Sequence, residues 1–91
     1  MQMRKSTIAK HSGGGAGSPF AVALGWEIRR RREASGLSQA AAAAPMGRAF
    51  LSSVEQGRVV PSLPSLLIVA RRLDTSAGDI LRSVEQAMEQ D

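Results

Sequence analysis

The side chains able to do chemistry in this chain are mostly arginines, and the chemistry they offer is the binding of anions. Residues 1–74 hold eleven of the twelve basic side chains against four acids, a net +7, whereas residues 75–91 carry −3. A basic body with an acidic end favours a polyanionic partner near the body. The tetrad Arg29-Arg30-Arg31-Arg32 cannot all serve one partner, because consecutive helical residues spread around the circumference, and such a run reads as solvated surface. Arg32 differs from its neighbours. It lies one turn beyond Ile28, at the border of an apolar stripe, where an arginine needs an acidic partner. Glu55 is the only acid in the two short helices that follow, so Arg32 and Glu55 are expected to form a structural ion pair. Catalysis finds no comparable support. There is no cysteine and one histidine, His11, which removes thiol catalysis, disulfides and the usual zinc-ligand sets. Glu33 and Glu55 fall near the middle of the helical body, but no nucleophile stands beside a base. No catalytic set, metal or cofactor is expected, and the chain is not read as an enzyme.

The elements that must position these residues are helices. In Phe20–Ser35 the apolar residues Phe20, Leu24 and Ile28 recur at intervals of four, which marks a helix with one buried stripe, and Gly36 ends it. Trp26 falls off that stripe, an exposed ring that lies over neighbouring aliphatic stems or marks a protein contact. Ser62 caps a helix over Leu63–Leu73, in which Pro64 is tolerated in the first turn. Leu66, Val69, Ala70 and Leu73 make its core face. Leu63, Leu67 and Ile68 are apolar too, more than one small core requires, and with Val59 and Val60 they offer a surface for a dimer or another protein. A last helix begins at Ser76, whose spacing to Asp79 makes a capping box, and carries Ile80, Leu81 and Val84 before fraying into Glu85–Asp91.

Between these lies Gly36–Ser62, GLSQAAAAAPMGRAFLSSVEQGRVVPS, which spells two short helices and a tight turn. Ser38 is a start signal before Gln39 and five alanines, the strongest intrinsic helix formers. Pro45 biases Ala44 away from helical angles, and Met46-Gly47 completes a turn after which the chain swings into a second helix, about Arg48–Gln56. Gly57 closes it. Helices joined this tightly cross steeply, and the second can project its N-terminal half into a major groove.

In order, LGWEIRRRREASGLSQ, FLSSVEQG and PSLPSLLIVARRL resemble the helix-turn-helix domain of the Cro and phage-repressor type, the xenobiotic-response-element family, over about residues 23–84. The resemblance implies an all-α, compact five-helix repressor-like domain. It implies that Gln39 bonds a DNA phosphate and buttresses the recognition helix, and that Arg32 and Glu55 tie the first helix to the third. It places Arg48, Ala49 and Ser53 at base edges, with Ser52 near the backbone. These residue types suit contact with bases, since Arg48 offers a fork to guanine, Ala49 a contact to a thymine methyl, and Ser53 a donor or acceptor. Gln56 and Arg58 would reach phosphates, as would the unobstructed backbone of Gly47. Phe50, Leu51 and Val54 turn inward. Three departures stand out. Ala42 replaces the usual leucine, a gap that Met46 and Phe50 fill; the turn is shorter than the common pattern; and Gly47 replaces a capping Ser or Thr at a cost of a few tenths of a kcal/mol.

The expected organisation is a flexible basic arm over 1–19, with Arg4, Lys5, Lys10 and a glycine-rich run, then the DNA-binding domain over 20–84 and an acidic end over 85–91. The arm is an inert tail or a strand laid along DNA, as homeodomain arms are. The apolar runs are too short to span a bilayer and no signal peptide is evident, so a cytoplasmic protein with no membrane partner is expected. The leading function is a transcriptional regulator that binds double-stranded DNA as a homodimer and acts by occupancy, since no effector domain is appended. The other is a protein-interaction module, an antitoxin or antiactivator whose partner meets the apolar surface of the first and fourth helices.

Overall fold

Serine opens four of the five helices among residues 15–90, the part of the chain described by this computed structural model. The helices are α1 (Pro19–Ala34), α2 (Gln39–Ala43), α3 (Arg48–Glu55), α4 (Leu63–Arg72) and α5 (Ala77–Glu89), with no strand among the described residues. Ser18, Ser38, Ser62 and Ser76 each take an extended backbone, and each hydroxyl accepts from the N–H three residues on: those of Ala21, Ala41, Ser65 and Asp79. That N–H would otherwise lack an intrahelical partner. Pro19 and Pro64 sit in first turns, where the missing N–H costs nothing.

Two boundaries differ from the sequence expectation. Residues 15–19 are not arm: Ser18 N–H donates to Gly15 O at 3.1 Å to close a turn, Ser18 caps α1 and Pro19 begins it. The flexibility expected for residues 1–14 lies outside the described residues. At the other end α5 does not fray after Val84 but runs to Glu89, because Met88 comes round onto the core one turn later.

The core is one cluster built from Leu24 and Ile28 of α1, Ala42 and Ala43 of α2, Leu51 and Val54 of α3, Leu66, Val69 and Ala70 of α4, and Ile80 and Val84 of α5. Met46 and Phe50 pack against it half-buried. A mid-helix glycine usually has a packing reason, and Gly25 has one. A Cβ there would press on the carbonyl oxygens of Val54 and Glu55, so α1 and the end of α3 touch backbone to backbone.

Arg29 and Arg30 are exposed, in keeping with a solvated run, but every arginine of the tetrad has a carboxylate partner. Arg29 pairs with Glu33 at 3.1 Å, and Arg30 and Arg31 both reach Glu27 at 2.6 Å. Arg31 also bonds Thr75 Oγ1 and Ser83 Oγ, which fastens α1 to α5. Burial by itself pushes the Glu27 carboxyl up, but the hydrogen bonds and charges of Arg30 and Arg31 outweigh it and hold the group below its ordinary value. A depressed folded-state value contributes stability above the unfolded value, lost as the pH falls through the folded one. Between about pH 5 and pH 3 the protein should therefore lose more stability than Glu27→Gln does. Parallel urea melts that fall together over that range would rule this out.

Candidate nucleic-acid interface

The short run of alanines makes α2, and Ala44 ends it with φ −52° and ψ 133°, angles outside the helix. A cis peptide bond joins Ala44 to Pro45. Gly47 follows with φ 97°, a conformation that side chains rarely adopt, and it offers α3 no side-chain cap. This corrects the sequence view of Gly47 as a cheap replacement for a capping Ser or Thr. The turn demands glycine there.

From Gly47, α3 emerges with two faces. Leu51 and Val54 are buried and Phe50 is half-buried, so this side holds the helix to the core. At 100° per residue Arg48, Ala49, Ser52, Ser53 and Gln56 fall together on the other side. Arg48, Ala49 and Gln56 are exposed, and Ser52 and Ser53 are partly so. Gln56 Nε2 donates to Ser52 Oγ at 2.8 Å, joining two of the expected phosphate-contacting residues to each other in the free protein. Arg58 N–H donates to Ser53 O at 2.9 Å, which holds the exposed Arg58 side chain just past the helix end. Among the described residues Arg48, Arg58, Arg71 and Arg72 have no carboxylate partner, whereas Arg29–Arg32 and Arg82 do. Two of the uncompensated cations thus bracket the exposed face of α3.

Glu55 fixes this helix in place. Its carboxylate accepts from Arg32 Nε at 2.6 Å and Nη2 at 3.1 Å, and from Gln39 Nε2 at 3.0 Å. Arg32 Nη1 also donates to Leu37 O at 2.9 Å. One carboxylate therefore joins α1, α2 and α3, and the expected ion pair is present with the amide of Gln39 added to it. The hydrogen bond to Glu55 holds the Arg32 guanidinium protonated beyond its ordinary range, against the opposing effect of burial. Gln39 uses one amide proton on Glu55 and keeps a second. Sequence reasoning missed Glu27 and Gly25. A carboxylate three and four residues before two arginines, and a glycine inside a helix, were the signals.

Val59, Leu63, Leu67 and Ile68 are exposed, Val60 is half-buried, and Trp26 is 63% exposed on α1. Leu67 and Ile68 share a groove with Pro45, Pro64, Arg71 and Arg72. No helix of the described residues is long and apolar enough to cross a membrane.

A family model described as a helix-turn-helix domain matches residues 23–82. No curated protein and no solved structure matches the chain.

Proposed function

The chain belongs to the helix-turn-helix domain family, and from that premise we propose that it is a sequence-specific DNA-binding transcriptional regulator in which α3 enters the major groove. The observation that carries the reading is the exposed face of α3. It combines a guanidinium, a methyl and two hydroxyls free of acids, on a helix braced from behind by Glu55. Arg48, Ala49 and Ser53 read base edges. Gln39, the Gly47 backbone, Ser52, Gln56 and Arg58 hold phosphates, which set register without reading sequence. Regulation is by occupancy of the operator in the cytoplasm. A second copy covers Leu63, Leu67 and Ile68, an apolar surplus that a lone domain has no use for. Two-fold symmetry then sets two copies of α3 on half-sites about 34 Å apart.

Two substitutions separate reading from positioning. On a duplex enriched from a random pool, Arg48→Ala should lose about 1–3 kcal/mol of binding and relax one base position. Gln39→Ala should weaken enriched and mixed duplexes alike. Equal losses from Arg48→Ala on both duplexes, measured by fluorescence anisotropy, would remove Arg48 from base recognition.

A second reading, a module that binds a protein partner, draws on Trp26 together with Leu63 and Leu67, which are 68% and 57% exposed. It requires no preference among duplexes, and that is where the two readings part.

A further inference from the structure

We propose that the groove between α4 and the α2–α3 turn binds a medium-chain carboxylate, its head on Arg71 and Arg72 and its alkyl chain along Ile68, Leu67 and Pro64. The groove holds about 780 Å³ and is lined by those five residues and Pro45. That volume falls in the range of small-molecule sites, about 300–1,000 Å³. At 100° per residue the five from α4 share one face, opposite the buried Leu66, Val69 and Ala70. All six lining residues are exposed. The α4 face is apolar from Pro64 to Ile68, and both charges stand in the last turn. From Pro64 to Arg72 is eight residues, about 12 Å of helix. An extended chain of about eight to ten carbons spans that length, given C–C bonds of about 1.5 Å.

Charge selects this occupant. Cations in the last turn of a helix offset the negative end of its dipole, which accounts for the sign of Arg71 and Arg72. It does not account for two unpaired guanidiniums at one end of an exposed apolar strip. Among the described residues neither makes an ion pair, and no acid lines the groove. A two-fold contact sets a patch against itself, so a second copy seated on Leu67 and Ile68 brings two more guanidiniums and, from this patch, no acid. A carboxylate supplies the missing charge, and a guanidinium fork suits it. The two occupants share Leu67 and Ile68 and so exclude one another. Ligand binding does not depend on the DNA-binding reading of α3, whereas its consequence, release of the second copy, rests on the dimer proposed above.

The test is calorimetric titration of the full chain, without DNA, by octanoate, octanol and octylammonium, each below the concentration at which it forms micelles. Octanoate should bind tightest and one to one. Each further buried CH₂ is worth about fourfold, so decanoate should bind up to about 15-fold tighter. R71Q with R72Q should weaken octanoate about tenfold and leave octanol as it was. L67S with I68S should abolish binding of all three, whereas L63S, which lies outside the lining, should not. Every side chain replaced is exposed, and thermal melts check that the variants fold. In sedimentation the wild-type dimer should dissociate as octanoate saturates it. Equal binding of octanoate and octylammonium, or indifference to R71Q with R72Q, overturns the proposal. So does an absence of octanoate binding together with a dimer that L67S and I68S dissolve, which gives the groove to the second copy. If octanoate binds as expected and the wild type is a monomer throughout, the dimer fails and the ligand site stands.

Discussion

Glu55→Ala should cost the folded protein about 3–5 kcal/mol, the range for removing one partner of a buried ion pair. The side chains of Arg32 and Glu55 are 13% and 4% exposed, so little solvent screens the pair. Three hydrogen bonds disappear together, and they are the three that join α1, α2 and α3. The guanidinium left behind keeps only Leu37 O. Removing both charges with Arg32→Met and Glu55→Leu should be milder than Glu55→Ala alone, because no buried charge is then left uncompensated. Guanidinium titrations of the three proteins decide this. A loss below about 1 kcal/mol for Glu55→Ala would place the pair among ordinary surface contacts and remove the brace from behind α3.

Gly25→Ala should destabilise by about 3 kcal/mol, the upper end of what overpacking usually costs. Helix propensity alone predicts the opposite, a gain of about 1 kcal/mol from placing alanine in a helix interior. The packing effect wins because the added Cβ meets backbone: it would press on Val54 O and lie 2.8 Å from Glu55 O, and neither can rotate away. α1 must separate from the end of α3, carrying Arg32 away from Glu55. Gly78→Ala in α5 provides the contrast, since a Cβ there meets only Ser76 Oγ at 3.8 Å, an ordinary contact, and that variant should gain about 0.4–1 kcal/mol. Thermal melts with Gly25→Ala equal to or above the wild type would show that the two backbones are not in contact.

What could be read from the amino acids alone follows the range of the interactions. Ser38, Ser62 and Ser76 announce their helices because a cap acts over three residues, and Leu66, Val69, Ala70 and Leu73 announce a core face because periodicity is local. Arg32 and Glu55 could be matched at a distance, since an arginine beside an apolar stripe needs an acid and one was in reach. Ser18-Pro19 carries an equally local start signal, but the glycines before it drew it into the arm. Gly25 could not be understood from α1 alone, because its reason lies in the carbonyls of α3, thirty residues away. Gly47 could be recognised as a turn residue but not as one with φ 97°, which depends on how Pro45 and Met46 aim the chain. The candidate interface follows the same division. That α3 presents Arg48, Ala49 and Ser53 outward follows from helical period, whereas the tie of Gln39 to Glu55 depends on how α2 crosses α3.

The direct measurement is selection of the full protein against a pool of random duplexes, followed by sequencing of what it retains. DNA reading by α3 in a two-fold dimer predicts an enriched motif of two inverted half-sites centred about one helical turn apart, with affinity that falls steeply as salt rises. A retained pool with no motif, or binding indifferent to salt, would contradict it and leave the exposed apolar side chains of α1 and α4 as the surface on which this protein acts.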